Sequence, residues 1–366
     1  MPILAKCLIF SVLGTVLGSP LGIRLNERDN SFMWASVGDS WAASVSYSTT
    51  QHTDYDDDKD GCHRWKDSYG PIMEQNTTWI TGLQKFNFAA CSGAILDNIV
   101  TSSQGDNPPQ MNLVGNPQMI TYHAGGNNCG FGQVVKVCIY QPWGNYGAEY
   151  PDPSGECAKQ LAVSNAYIDD AGVDGFYQDE FKTVDFRLYI LGYAYFFNLG
   201  ANYCDDISFG ALARVPLVGN APKVSNRLRT DLNDGVERVN QILARVANDV
   251  GDSRVKFLDI SSAFNGHRFC ENNHNYEDQW YNADMQGDVV ADGSGGSTGP
   301  NPTWFQRPFH PKQGGTQAIA DIIIAQAIAD KIPGVIGSSP PATGSCDCNK
   351  DGCSPESPAC CANGTC

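Results

Sequence analysis

Phe32-Met33-Trp34-Ala35-Ser36-Val37-Gly38-Asp39-Ser40-Trp41-Ala42-Ala43 is the stretch on which the reading of this chain turns. Phe32 to Val37 is short, apolar and bounded by a turn signal, the pattern of a buried strand. Gly38 permits a sharp turn. Ser40 would then open the next helix, where free N–H groups and the helix dipole favour a developing negative charge. A serine in that place is also a common N-cap, so the rest of the chain has to decide between the two roles.

Working outward, four more runs read as strands: Lys85 to Ala89, Gln118 to Ala124, Leu188 to Ala194 and Val255 to Ile260. Helical patterns follow. The longest, Ser225 to Val250, carries Leu228, Leu232, Val236, Val239, Ile242, Leu243 and Val246 on one face. The last, Thr316 to Lys331, carries Ile319, Ile322, Ile323 and Ala327. Both stripes are expected to pack in the core. Strands alternating with helices imply an α/β fold with a parallel sheet covered on both faces. Ligands in such sheets bind beyond the carboxyl ends of the strands.

Three further blocks fall at those ends. Ala89-Ala90-Cys91-Ser92-Gly93-Ala94 follows the second strand, and Ala124-Gly125-Gly126-Asn127-Asn128 the third. The Gly93 N–H and the Asn127 amide are the kind of donors an oxyanion needs. Arg307-Pro308-Phe309-His310-Pro311 precedes the last helix, and His310 can serve as general base to Ser40. His123 and His267 are competing bases, read as structural. Trp41 either packs or lines an acyl pocket.

With these four blocks in order, the chain resembles the SGNH hydrolases, also called GDSL esterases and lipases. Their blocks centre on a serine in Gly-Asp-Ser, a glycine, an asparagine in Gly-x-Asn-Asp and a histidine in Asp-x-x-His. Here these are Ser40, Gly93, Asn127 and His310, and the resemblance covers about residues 32–333. Cys62-His63-Arg64-Trp65, Cys91-Ser92-Gly93-Ala94 and Gly266-His267-Arg268-Phe269-Cys270 look closest to the secreted esterase branch of fungi and actinobacteria. The resemblance implies a three-layer, flavodoxin-like α/β fold with a five-stranded parallel sheet in order 2-1-3-4-5. It implies ester hydrolysis through an acyl-serine on Ser40, with Ser40, Gly93 and Asn127 forming the oxyanion hole. It also implies the disulfides Cys62–Cys91, Cys138–Cys157 and Cys204–Cys270, which leaves Cys129 as a buried thiol beside Asn127. Two positions depart from the family. Asn128 replaces the Asp of Gly-x-Asn-Asp, and Arg307 stands where Asp-x-x-His has its acid. His310 must then be oriented by a backbone carbonyl such as that of Arg307, or less favourably by Asp259 at the end of the fifth strand.

Composition sets the context. The chain has 366 residues, of which 42% are hydrophobic and 17% charged, so it can bury a sizeable core. Forty acidic against 24 basic residues give a net charge of −16, which argues against nucleic acid or anionic membrane as partner. Residues 1–18 read as a secretory signal peptide, with Lys6 before an apolar run from Cys7 to Leu17. Fourteen cysteines, 13 without Cys7, fit an oxidising compartment. The protein is therefore expected to be secreted, extracellular and without a transmembrane segment. Residues 30–333 form the hydrolase domain, 334–345 a linker rich in small residues and proline, and 346–366 a module with six cysteines. That module is read as a disulfide-held cap, or as a polysaccharide-binding unit. Asn76 and Asn363 lie in glycosylation sequons.

Two motifs are set aside. Gly295-Gly296-Ser297-Thr298-Gly299 has the letters of a nucleophile elbow but lies in a glycine-serine loop. Asp56-Asp57-Asp58-Lys59-Asp60-Gly61 begins like a calcium loop but has Asp67 where the bidentate Glu belongs, and is read as a solvated acidic loop. No metal and no cofactor are expected. The function expected is a serine esterase or lipase acting as a monomer on a small-molecule or lipid ester. The alternatives are a polysaccharide acetyl esterase acting on acetylated polysaccharide, and a non-catalytic binding protein on the same fold.

Overall fold

The computed structural model describes residues 31–44, 55–56, 60–141, 146–169, 186–209, 222–272, 278–282 and 309–337. Five strands form one sheet: β1 (Phe32–Gly38), β2 (Gln84–Phe88), β3 (Met119–His123), β4 (Arg187–Leu191) and β5 (Val255–Leu258). Their order is β2-β1-β3-β4-β5, and every pairing is parallel. This is the order that the family resemblance implies. Each strand falls inside or within one residue of its expected run, because short β-branched and aromatic stretches between turn residues leave little choice of state.

Seven α-helices accompany the sheet among the described residues: α1 (Ser40–Ala43), α2 (Tyr69–Gln75), α3 (Leu96–Val100), α4 (Phe131–Val134), α5 (Glu156–Ile168), α6 (Asn226–Asp249) and α7 (Gln313–Ala329). α2 packs on α7, while α5 packs on α4 and α6. β1 and β3 are buried at nearly every position, so both sheet faces are covered. Trp34 shows what holds the β1 side. Its ring stacks on Phe86 at 4.1 Å and meets Trp79 edge-on at 5.9 Å, while its Nε1 donates to Gln84 Oε1 at 3.0 Å. Burying an aromatic ring of this size contributes about 2–3 kcal/mol.

α6 packs as expected and does something more. Ser225 caps it, its Oγ accepting the Leu228 N–H at 3.3 Å. Leu228, Val236, Leu243 and Val246 are buried in the core, and Leu232, Val239 and Ile242 pack half-buried against it. Leu232, Val236 and Val239 also line a cleft described below. A single periodicity cannot tell packing against the sheet from lining a cavity, since both need apolar side chains.

The pairs Cys62–Cys91, Cys138–Cys157 and Cys204–Cys270 are disulfides, and Cys129 is a free, half-buried thiol. Cys138 lies in a π-helical turn, Val135–Tyr140, that continues α4. The expected linker starts late. Val335 is fully buried, Ile80 and Val335 form an antiparallel bridge, and the Thr81 N–H donates to Gly334 O at 2.9 Å. The first residues of the expected linker thus stay tied to the sheet domain through buried Val335, while Ile336 is exposed. Asp56 and Asp60 both pair with Arg64, whose side chain is 6% exposed, so these two acids neutralise a buried guanidinium. The expected signal peptide, the Gly295–Gly299 motif, Arg307, the cysteine-rich module and Asn363 lie outside the described residues.

Candidate active site

Everything at the site hangs on the turn at Gly38. Its φ is +148°, and a Cβ there would stand 2.2 Å from the His123 carbonyl oxygen, so no other residue fits. The backbone of Gly38 is held by a side chain. Gln110 accepts the Gly38 N–H at Oε1 (2.7 Å) and donates Nε2 to the Gly38 carbonyl (2.9 Å). One buried amide thus does what a neighbouring strand would do at the end of β1. Sequence reading missed Gln110, because it lies 72 residues away at the start of a single 3-10 turn, Gln110–Asn112, with no local signal.

Asp39 caps α1, its Oδ1 accepting the Trp41 N–H at 2.9 Å. Its Oδ2 accepts the Tyr193 hydroxyl at 2.7 Å. Asp39 is only 2% exposed, and burial raises its pKa to about 7 against the pull of these two donors. Tyr193 does more. Its hydroxyl also accepts the Gly126 N–H at 3.1 Å, which ties the turn at Gly38–Ser40 to the loop carrying Asn127. Asn240 of α6 fixes Tyr193 in turn, accepting its N–H at 2.7 Å and donating to its carbonyl at 2.8 Å. Tyr193 falls within the expected fourth strand. The strand-end rule pointed at its neighbourhood, but no residue pattern marked its hydroxyl.

Ser40 stands at the start of α1 with its Oγ 2.7 Å from His310 Nε2. Both side chains are buried. The segment around His310 is pinned by Asn282, which donates its N–H (3.0 Å) and its Nδ2 (3.1 Å) to the His310 carbonyl and accepts the Phe309 N–H (2.8 Å). Phe309 adopts φ +67°, which costs a non-glycine residue about 1 kcal/mol. Its buried ring, packed edge-on against Phe196 and Phe197, holds it there. The imidazole itself packs against Trp41 and Phe131.

Three donors surround Ser40 Oγ in the reading from sequence. The Ser40 and Gly93 N–H groups donate to no other described residue. Gly93 is exposed at φ +82°. Asn127 uses one N–H of its amide on the Ala94 carbonyl at 2.9 Å, which orients it and leaves the second N–H. Asn128 accepts the Leu96 N–H at Oδ1 (3.0 Å) and so joins this loop to the start of α3. An amide oxygen serves there as a carboxylate oxygen would. Asp259 is exposed and accepts the Ser261 N–H at 2.8 Å, capping its own turn.

His267 and His123 take no part in the Ser40–His310 contact. His267 stacks on Trp280 at 3.9 Å, and its Nδ1 bonds the Asp278 carbonyl at 2.8 Å. His123 is fully buried between the rings of Trp41, Tyr69 and Tyr193, and burial lowers its pKa to about 3. Among the described residues, no group of three or more His, Cys, Asp or Glu side chains could hold a metal ion.

An open cleft, with about 90 Å³ of room for water-sized occupants, leads from Ser40 and Asn127 between α4, α5 and α6. Trp41 lines it, as do Phe131 and Phe196, and the lining is mostly apolar. Cys129 also faces this space rather than a sealed interior, and burial still raises its thiol pKa to about 12. Chemically, the arrangement offers a hydroxyl hydrogen-bonded to an imidazole, backbone and amide donors nearby, and an apolar slot beside them.

No protein-family model and no curated protein matches the chain. Its fold is similar to that of solved structures. One is an extracellular lipase from Streptomyces rimosus, with a TM-score of 0.55 and 20% identity over 81% of this chain and 99% of that one. Another is a phospholipase A1 from Streptomyces albidoflavus, with a TM-score of 0.52 and 19% identity over 81% of this chain and 99% of that one. The likeness is one of fold.

Proposed function

We propose that this chain is a secreted serine ester hydrolase of the SGNH type, acting on carboxylic esters of apolar acids. The single observation that carries the reading is the 2.7 Å contact between Ser40 Oγ and His310 Nε2 at the carboxyl edge of the sheet. Contacts from the Cys91 N–H to the Gly38 carbonyl (3.0 Å) and from Asn127 Nδ2 to the Ala94 carbonyl (2.9 Å) support the same reading, and the similar folds are those of a lipase and a phospholipase.

The reaction follows from that contact. His310 Nε2 takes the hydroxyl proton as Ser40 Oγ bonds to the ester carbonyl carbon. The carbonyl π pair moves to oxygen, and the Ser40 and Gly93 N–H groups with the free Asn127 N–H receive the resulting charge. The C–O bond to the alcohol then breaks, its electron pair leaving with the alkoxide oxygen, which takes the proton from Nε2. Water repeats the sequence on the acyl-serine and releases the acid. An acceptor at Nδ1 is needed to fix the tautomer. Asp259 points to solvent and caps its own turn, which favours the Arg307 backbone carbonyl.

The apolar lining of the cleft supports a hydrocarbon acyl group over an acetyl group on polysaccharide. Secretion is supported by the expected signal peptide and the three disulfides. No helix among the described residues is long and apolar enough to cross a membrane.

The test is hydrolysis of p-nitrophenyl esters from acetate to palmitate by wild type, Ser40→Ala and His310→Ala, with fluorophosphonate labelling alongside. Each substitution is expected to lower kcat by at least about 10,000-fold, and Ser40→Ala to abolish labelling. A wild type that neither labels nor turns over any ester, acetylated xylan included, would leave a binding protein as the better reading.

A further inference from the structure

Gly235 sits in the interior of α6, a 24-residue helix, where glycine is the poorest choice after proline. Two reasons usually place it there. One is a backbone angle forbidden to other residues, and Gly235 is helical. The other is a neighbour too close for a side chain, as at Gly192, where a Cβ would stand 2.8 Å from Asn240 Oδ1. At Gly235 a Cβ would meet no atom within 4 Å. Neither backbone nor packing requires this glycine.

What lies over Gly235 is the cleft that begins at Ser40. Leu232, Val236 and Val239 flank it on the same helix, and Leu161 and Ile168 face it from α5. From Leu232 to Val239 the helix rises about 10 Å. The polar groups in this lining are already engaged. Asp231 holds Arg227 and Tyr150, and Asn165 holds Arg238. An occupant is therefore offered hydrocarbon, in a slot with one end at the proposed nucleophile.

We infer that Gly235 sets the acyl-chain length this cleft accepts: the bare helix surface there is the passage for an unbranched chain of more than a few carbons. The inference rests on the ester-hydrolase reading, and names the substrate of that site as a medium- or long-chain acyl ester. A side chain at 235 would project into the space, displace methylene groups into water and weaken long substrates selectively.

The experiment compares Gly235→Leu and Val239→Phe with wild type on p-nitrophenyl butyrate and palmitate. Leucine is a better helix former than glycine and position 235 is open, so Gly235→Leu threatens neither helix nor core. The ratio of kcat/KM for palmitate over butyrate is expected to fall on the order of tenfold, the equivalent of about two methylene groups. Asp234→Ala, exposed on the outer side of α6, is expected to leave the ratio unchanged. A merely structural defect would lower both esters alike and keep the ratio, which overturns the inference.

Binding gives a second readout that needs no turnover. In the Ser40→Ala protein, cis-parinaric acid, a fluorescent eighteen-carbon acid, should bind on the order of tenfold more weakly once Gly235→Leu is added. If wild type hydrolyses no ester but the probe responds to Gly235, the functional reading fails and the cleft assignment holds. If esters are hydrolysed and neither ratio nor probe responds, the chain-length role of Gly235 is wrong and the hydrolase reading stands.

Discussion

The two sides of the cleft are built on different principles. At the strand ends, the groups that shape the site are fixed by named partners: Gly38 by Gln110, Asp39 by Tyr193, Asn127 by Ala94, and the His310 carbonyl by Asn282. On the helical side, Leu232, Val239, Leu161 and Ile168 are placed by packing alone. Directional bonds specify a geometry and fail when one partner is lost. Apolar packing specifies a volume and tolerates exchange at constant size. The contrast predicts a rim intolerant of single-atom changes beside a wall that can be rebuilt.

The largest effect expected at the rim outside the Ser40–His310 pair is at Asn127. Asn127→Ala removes one of the proposed oxyanion donors and should cost about 100- to 1,000-fold in kcat with little change in KM, read by steady-state kinetics on p-nitrophenyl butyrate. An unchanged kcat would move the oxyanion site away from this loop.

Next comes Asp39, whose effect depends on pH. Its ordinary pKa is 3.8 and its folded value about 7. Between those values the folded protein keeps a proton that the unfolded chain has released. Asp39 therefore lowers stability as pH rises from about 4 to about 7, and the deficit persists above. His123, lowered from 6.5 to about 3, has the opposite slope, with stability falling as pH drops below 6.5. Asp39→Asn removes only the first contribution. Urea midpoints at pH 5 and pH 7.5 should show the variant gaining on wild type at the higher pH. Equal gaps at both pH values would mean that Asp39 does not titrate in this window.

Gln110→Leu keeps most of the volume and removes both Gln110 contacts, leaving the Gly38 N–H unpaired while the Gly38 carbonyl keeps the Cys91 N–H at 3.0 Å. One buried N–H without a partner costs about 1–3 kcal/mol, visible as a lower urea midpoint at unchanged m-value. The smallest effect belongs to the wall. Leu232→Met conserves volume and should cost less than about 1.5 kcal/mol, with the chain-length profile kept. A large loss there would erase the distinction between rim and wall.

The sequence made one side of this comparison far more legible than the other. Strands announced themselves by composition, so the sheet followed from it, and motif order singled out Ser40 and His310, which the 2.7 Å contact joins. Residues that act through their partners did not. Gln110, Tyr193, Asn240 and Asn282 lie in unremarkable surroundings, and their roles exist only once distant segments meet. Nor did periodicity distinguish the cleft-lining residues of α6 from its core residues. The π-helical turn at Val135–Tyr140 was equally invisible, since its residues would suit an ordinary helix. Val335 was misread for the reverse reason: a glycine-flanked apolar pair resembled the linker it precedes.

The amide of Gln110 also gives the molecule a clock. Slow hydrolysis of that amide would replace its nitrogen with oxygen, leaving the shape intact and reversing the polarity opposite the Gly38 carbonyl. A stored preparation would then lose activity with almost no change in mass or disulfide content. Because Gln110 is only 3% exposed, water reaches it through openings of the surrounding loop. The rate at which that one amide is lost would report how often the turn beneath Ser40 comes undone.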